Sequence, residues 1–231
     1  MSEWPVTAYL IESFEKVWPR IMEHLQVSAL ALFYALVIAL PLGYGLSRRG
    51  GQALATPVLV VLGIIYTIPS FAFFAFLVPF TGIGRTPAII ALTAYALVVL
   101  VRNTIVAFKG VDPAVKEAAR GMGMTGWQLL WRIEVPLALP VLVAGMRIAA
   151  LSTIGLATIA AWIGAGGLGQ LLRDGLFDPT YSTLYAGIIS IGAVAILADL
   201  LFRVVERLVR VPGGKTGKVR AQVVTAQPLE T

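Results

Sequence analysis

Residues 112–136, DPAVKEAARGMGMTGWQLLWRIEVP, form a polar segment with its own helix signals between two long apolar runs. Asp112, followed by proline, suits the start of a helix, because aspartate is a favoured N-cap and proline a favoured first residue. The next residues are strong helix formers, and Gly121 and Gly123 then weaken the helix and permit a sharp bend. A second amphipathic piece follows at 127–131. We therefore predict a short helix with small residues at its tip, suited to docking into a groove of a partner.

The composition around this segment is that of a membrane protein. Hydrophobic residues make up 58% of the 231 residues and charged residues only 13%, whereas a soluble domain carries roughly 25% charged residues. The mean hydropathy is +0.85. Such a chain has too little polar surface to cover itself in water, so we predict an all-α, polytopic membrane protein.

Several kinds of site are excluded by residue counts. Cysteine is absent, which excludes disulfides and thiolate metal sites. His24 is the only histidine, so a multi-histidine metal site is excluded, and we expect this residue at the membrane interface. We therefore predict no metal site.

Five apolar runs are long enough to cross a bilayer as helices. They cover approximately 26–46, 53–80, 87–108, 135–160 and 182–202. The second run would be ~42 Å long as one helix, which exceeds the ~30 Å hydrocarbon core. Because prolines interrupt it, we predict one crossing made of two helical pieces, hinged at 68–70 around Pro69.

The first 25 residues have an amphipathic pattern with acidic and basic residues intermixed, unlike a cleavable signal peptide. Two interpretations remain open. One is an interfacial helix with Trp4 and Trp18 at the lipid surface, and the other is an N-terminal extension of the first span.

Basic residues predict the orientation. With the N-terminus outside, twelve of them lie on the inner side and four on the outer side, which is the bias expected of cytoplasmic loops. The inner set is Arg48, Arg49, Lys109, Lys116, Arg120, Arg132, Arg203, Arg207, Arg210, Lys215, Lys218 and Arg220, and the outer set is Lys16, Arg20, Arg85 and Arg173. This distribution favours a membrane topology over nucleic-acid binding as the reason for the net charge of +6. The chain then divides into an N-terminal interfacial segment (1–25), a transmembrane domain (26–210) and a polar cytoplasmic tail (211–231).

Charged residues inside the predicted spans need a partner or a water-filled cavity. Arg147 lies near the middle of the fourth span, Arg102 near the inner end of the third, and Asp199 near the inner end of the fifth. We favour a helix–helix salt bridge in which Asp199 pairs with Arg102 or Arg147. Direct contact with a solute and snorkelling to the interface stay open as alternatives.

Aromatic residues offer a second kind of membrane site, because ring faces hold quaternary ammonium cations. The candidates are Tyr66, Phe71, Phe73, Phe74, Phe76 and Tyr95. Phenylalanines in spans more often face lipid or pack between helices, so Tyr66 is the first candidate for solute contact. The complete set of residues predicted for the pathway or for helix pairing is Tyr66, Pro69, Arg102, Asn103, Arg147 and Asp199.

The polar segment also contains a recognisable motif. Glu-Ala-Ala at 117–119, Gly123 and Ile-Glu-Val-Pro at 133–136 resemble the EAA loop of ABC importer permeases, and Val135 alone departs from the pattern, replacing leucine. In that family the segment, here called the coupling loop (112–136), fits a cleft on the ATPase subunit. The resemblance implies the following ATPase-contact residues: Glu117, Ala118, Ala119 and Gly123.

Further stretches resemble the osmoprotectant branch of this family, which imports glycine betaine, choline and carnitine. They are 66–70 (YTIPS), 81–84 (TGIG), 101–104 (VRNT) and 163–169 (IGAGGLG). The branch implies a type I, methionine-permease-like fold in a bacterial inner membrane, multi-pass, with a separate extracytoplasmic solute-binding protein. A second permease copy or a homologous permease is expected, since five spans do not readily enclose a pathway. A permease for another solute such as methionine, or an ion-driven secondary transporter, remains an alternative.

Nucleotide chemistry is not predicted in this chain. A Walker motif is absent from the sequence, so ATP and Mg are expected on the partner ATPase, with no cofactor and no catalytic residue here. The stretch 164–169 matches G-x-G-x-x-G, but a membrane helix precedes it where a dinucleotide site needs a strand. We interpret these glycines as closely packed or flexible backbone at the outer mouth of the pathway.

Overall fold

The computed structural model describes residues 14–179 and 181–209, and every regular element in those residues is a helix. The helices are α1 (Phe14–Ser47), α2 (Gln52–Thr67), α3 (Ser70–Thr81), α4 (Arg85–Lys109), α5 (Pro113–Gly121), α6 (Gly126–Leu129), α7 (Val135–Ala160), α8 (Gly169–Gly175) and α9 (Ser182–Leu208). A π-helical turn, Leu130–Glu134, joins α6 to α7, and a 3-10 turn, Ala161–Ile163, follows α7. The predicted all-α class is confirmed.

Within the described residues, four helical segments are long and apolar enough to cross a membrane singly: α1, α4, α9 and the run Gly126–Ile163 that contains α7. Helices α2 and α3 form a fifth candidate, bent by 94° at their junction. The junction lies at Ile68 and Pro69, which both have extended backbone angles. The predicted spans and the predicted hinge are thus confirmed.

Contacts at the two ends of the bundle show that α2 and α3 together make one crossing. At one end, Arg48 after α1 pairs with Glu134 before α7. At the opposite end, the amide of Gly84 before α4 donates to the carbonyl of Ile163 after α7 (2.9 Å). The chain therefore enters α2 at one end of the bundle and leaves α3 at the opposite end, which a re-entrant loop would not do. We call these the inner and outer ends, after the orientation predicted from the basic residues.

The N-terminal part of α1 bears on the two interpretations that were open for the first 25 residues. Within the described residues α1 is continuous from Phe14 to Ser47, so residues 14–25 are an extension of the first span and no break marks residue 25. Residues 1–13 of the predicted interfacial segment and the tail predicted for 211–231 lie outside the described residues.

Small residues bring α1, α4 and α7 together. Ala31, Ala35 and Ala39 are fully buried, and their spacing of four places them on one face of α1. Gly43 continues this row against Thr104 of α4, where a Cβ would lie only 2.6 Å from the Thr104 Cβ. Small side chains let membrane helices approach closely, so this stripe sets the tight packing of the bundle.

The crossing by α2 and α3 predicts how a cysteine-free chain should label. We expect a cysteine at Ile83, which is 78% exposed between α3 and α4, to react with a membrane-impermeant maleimide added to intact cells. Met122→Cys is the matched control, because Met122 is 71% exposed but lies in the coupling loop. It should react only after the membrane is opened. Labelling of Met122→Cys from outside would contradict the five-span topology.

Candidate functional site

The coupling loop folds as its sequence predicts. The Asp112 carboxylate caps α5 by accepting a hydrogen bond from the amide of Ala114 (2.8 Å), with Pro113 at the first helical position. At the other end, Gly123 has a φ of +79°, in the left-handed region that favours glycine. This angle turns the chain from α5 towards α6, so the predicted bend lies at Gly123.

Helix α6 begins with a capping box that the sequence analysis missed. The Thr125 hydroxyl accepts a hydrogen bond from the amide of Gln128 (3.3 Å), and the Gln128 side chain accepts one from the amide of Thr125 (2.9 Å). The Thr-x-x-Gln spacing was the available signal. The box fixes a helix start two residues after the glycine bend, which gives the tip of the loop a defined shape.

The predicted ATPase-contact residues do not all face outward. Glu117 and Ala118 are exposed on α5, whereas Ala119 is only 1% exposed. The side chain of Ala119 packs inside this chain, so its predicted role as a contact residue is corrected to a packing role. Met122 and Trp127 are exposed beside the bend and were not predicted as contacts.

A buried carboxylate, Glu134, ties the coupling loop to the bundle. Its side chain is 1% exposed, and its Oε1 accepts a hydrogen bond from Nη1 of Arg48 (2.9 Å). The Lys116 ammonium on α5 lies 3.8 Å from the same carboxylate and donates to the carbonyl of Phe108 (3.0 Å). Glu134 occupies a position of the motif at which the family pattern specifies no residue type, and it was not predicted as a site residue. The missed signal was an acidic residue at the threshold of an apolar span, which requires a partner.

A groove of about 630 Å³ lies between the coupling loop and the inner end of α1. Its lining combines basic, aromatic and apolar side chains: Tyr44, Arg48, Arg120, Met124, Gly126, Trp127, Leu129 and Leu130. The groove and the exposed face of α5 together present a concave surface of mixed charge at the inner end of the molecule, with Glu117 and Arg120 both exposed.

The charges inside the spans form a helix–helix pair, as favoured from the sequence. Nε of Arg147 on α7 donates to Oδ1 of Asp199 on α9 (2.6 Å), and Arg147 lies 3.6 Å from Glu206. Asp199 also accepts from Nε of Arg203 (2.7 Å). Arg102 is exposed and makes no ion pair with a described residue, so of the two predicted partners Asp199 pairs with Arg147.

Asn103 belongs to helix packing. Its side-chain amide donates to the carbonyl of Val99 one turn earlier (2.8 Å). The side chain also fills the space beside Gly145 of α7, where a Cβ would lie 2.5 Å from the Asn103 Cβ. Asn103 was predicted either to line the pathway or to pair helices, and the structure supports pairing of α4 with α7.

Three of the six candidate rings meet at the junction of α2 and α3. The Tyr95 ring lies 5.8 Å from that of Tyr66 and 5.7 Å from that of Phe73, each in an edge-to-face arrangement. The Tyr95 hydroxyl donates to the carbonyl of Ile68 (2.6 Å), which the break next to Pro69 has removed from the helical ladder. We name Tyr66, Phe73 and Tyr95 the junction cluster.

The other three candidate rings differ in exposure. Phe74 is completely buried, so its candidacy for solute contact is corrected. Phe71 and Phe76 are exposed on α3, and Phe76 packs against Phe80. Within the junction cluster only Tyr66 is extensively exposed, at 48%.

The glycine stretch at 164–169, at the outer end, is closely packed, which is one of the two interpretations offered from the sequence. The amide of Gly167 donates to Glu23 of α1 (2.9 Å), and Glu23 also pairs with Arg20 (2.9 Å) and Arg85 (3.4 Å). His24 is 1% exposed, and its Nε2 lies 3.0 Å from the carbonyl oxygen of Ile154. The expected interface position of His24 is therefore wrong, because α7 and the glycine stretch cover it.

The Tyr95 hydroxyl predicts a measurable contribution to stability. Tyr95→Phe leaves the Ile68 carbonyl without its partner, so we expect unfolding to become easier by about 1 kcal/mol. That change corresponds to a midpoint lower by about 2–4 °C in detergent. Tyr66→Phe is the matched control, because the Tyr66 hydroxyl has no hydrogen bond to a described residue. Equal midpoints for the two variants would contradict the role given to Tyr95.

Known proteins resemble this chain over most of its length. The family model described as "Binding-protein-dependent transport system inner membrane component" matches residues 35–211. The Bacillus subtilis (strain 168) glycine betaine/carnitine/choline transport system permease protein OpuCB is 39% identical over 83% of this chain and 87% of its own length. The Salmonella typhimurium osmoprotectant import permease protein OsmW is 41% identical over 84% of this chain and 91% of its own.

A solved structure agrees with this relationship. A chain of the MetNI methionine ABC transporter, in an inward-facing conformation, superposes with a TM-score of 0.75 at 27% identity. The match covers 91% of this chain and all of that chain. The sequence and fold therefore place this chain in the family of binding-protein-dependent transport system inner membrane components, the multi-pass permease subunits of ABC importers, whose ATPase activity lies in a separate subunit.

Proposed function

We propose that this permease imports a quaternary ammonium compatible solute such as glycine betaine, choline or carnitine. The observation that carries the proposal is the identity of 39–41% over more than four fifths of the chain with permeases named for such solutes. The junction cluster supports it, because Tyr66 presents a partly exposed ring near a break in a span, and ring faces attract quaternary ammonium ions.

The proposed partners follow from the family and from the surfaces of the chain. A separate ATPase subunit, which binds ATP and Mg, docks on the exposed face of α5. An extracytoplasmic solute-binding protein delivers the solute at the outer end. A second copy of this chain, or a homologous permease, completes the pathway, since α9 is exposed along most of its length.

Coupling in this proposal is mechanical. Glu117 and Ala118 present the exposed face of α5 to the ATPase. The bend at Gly123 sets the direction of α6 relative to α5. The loop joins α4 to α7 directly in the sequence. A displacement of the docked surface therefore moves the inner ends of two spans, which supplies a route from ATP binding to alternating access.

The methionine transporter gives a second candidate solute. Its permease shares the fold at a TM-score of 0.75, but the identity is 27%, lower than for the osmoprotectant permeases. This difference favours the quaternary ammonium solutes.

An uptake measurement separates these solutes. We expect cells that depend on this importer to accumulate radiolabelled glycine betaine, choline or carnitine, and cells lacking the permease to lose that uptake. Methionine uptake without uptake of any of the three would reject the proposed solute class and leave the family assignment intact.

A pair of substitutions at Gly123 tests the coupling loop. We expect Gly123→Val to insert normally but to lose ATPase association and transport, because a β-branched residue is strained at a φ of +79°. Space is not the obstacle, since no described residue other than the two chain neighbours has a heavy atom within 4 Å of a Cβ placed there. Gly123→Asn is the matched control, because asparagine tolerates this region. Pull-down of the ATPase, membrane abundance and uptake are measured for both, and a Val variant that binds and transports like the parent would refute the assignment.

A further inference from the structure

Four segments of the chain converge on the Glu134 carboxylate at the inner end of the molecule. Glu134 itself ends the π-helical turn and precedes α7. Arg48 comes from the end of α1, and Lys116 from the middle of α5. Lys116 also donates a hydrogen bond to the carbonyl of Phe108, and this bond connects the last turn of α4 to the group around Glu134. One side chain thus touches or adjoins the coupling loop and the inner ends of three spans.

The Arg48 partner is held rigidly. Both of its terminal nitrogens donate to Glu134, one to each carboxylate oxygen. The guanidinium also lies 4.3 Å from the centre of the Tyr44 ring and donates to the Tyr44 hydroxyl. A bidentate pair fixes direction as well as distance, and stacking on a ring restricts the arginine further. The connection between α1 and the start of α7 is therefore stiff.

Stability alone does not explain a charge at this position. Buried ion pairs are often no more stabilising than apolar side chains of similar volume, because both groups lose their hydration. Glu134 is 1% exposed and lies between apolar residues, Ile133 and Val135. What an apolar residue could not supply is the bidentate link to Arg48 together with an ion pair to Lys116.

Among the described residues, the contact between Lys116 and Glu134 is the only ion pair made by α5. Helix α5 is a short element bounded by Gly110 on one side and by the bend at Gly123 on the other. Its buried residue Ala119 holds it by packing, but a single alanine offers little resistance to rotation. Without the carboxylate, α5 could shift while α1 and α7 stay in place.

We propose that Glu134 is a positioning residue that makes the coupling loop and the inner ends of α1 and α7 move as one unit. It acts through Arg48 and Lys116 and touches neither solute nor nucleotide. This inference rests on the proposed function, since it requires an ATPase docked on the coupling loop. Loss of the link leaves the ATPase bound and active while its movement no longer reaches the spans.

The test uses the complete importer, with ATPase and binding protein, in proteoliposomes. ATPase association, ATP hydrolysis and uptake of glycine betaine, choline and carnitine are measured for the parent and for Glu134→Gln. We expect association within twofold of the parent and continued ATP hydrolysis, with at least a tenfold fall in solute transported per ATP hydrolysed. A structural defect alone would lower abundance or association and leave this ratio unchanged in the assembled fraction.

Arg48→Gln is the second variant. Arg48 is 35% exposed, and its removal leaves Glu134 beside Lys116, so folding is less at risk. We expect the same fall in the coupling ratio, and this variant decides the matter if Glu134→Gln does not assemble. Asp174→Asn is the control, because it neutralises a carboxylate that is 56% exposed on α8, away from the loop. Its coupling ratio should equal that of the parent.

The outcomes separate the inference from the function on which it rests. A parent that binds no ATPase contradicts the proposed function and the inference with it. If the parent transports and both variants keep its coupling ratio, only the inference fails. Loss of ATPase binding in both variants also overturns it, because Glu134 would then shape the docking surface instead of transmitting movement.

Discussion

A bilayer interior offers no hydrogen-bond partners to a peptide group, and each backbone donor or acceptor there must be satisfied by the protein itself. Helices meet this requirement along most of the chain. A break in the ladder lies at the junction of α2 and α3, where the extended backbone at Ile68 releases a carbonyl. The Tyr95 hydroxyl satisfies it, and the same ring contacts Tyr66 and Phe73. The interaction that permits a break in the span thereby also gathers the aromatic side chains proposed to meet the solute.

Charged side chains form pairs at three depths of the molecule, and each set of pairs connects different helices or loops. At the outer end, Glu23 connects α1 to the glycine stretch and to Arg85. Deeper in the molecule, Arg147 and Asp199 connect α7 to α9. At the inner end, Glu134 connects the start of α7 to α1 and α5. Ionised groups are costly in a membrane unless they are paired, and here the pairing also determines which helices are linked.

Local features of the sequence predicted much of this structure. The apolar runs gave the spans, the proline at 69 located the hinge, and the glycine at 123 located the bend, because each depends on residues close together in the chain. The burial of Ala119 and His24, and the pairing of Arg48 with Glu134 across 86 positions, depend on how distant helices pack. Periodicity assigns a residue to a helix face, but it does not say which neighbour covers that face. The choice of Arg147 over Arg102 as the partner of Asp199 was open for the same reason.

In the proposed mechanism, the exposed face of α5 carries the contact with a separate ATPase. Since the chain has no cysteine, single cysteines at 118 and 119 can be compared in the assembled importer with a short thiol-to-amine cross-linker. Ala118 is exposed and Ala119 is 1% exposed, so position 118 should form a covalent adduct with the ATPase and position 119 should not. An importer that transports solute yet gives no adduct at 118 would contradict docking of the ATPase on α5.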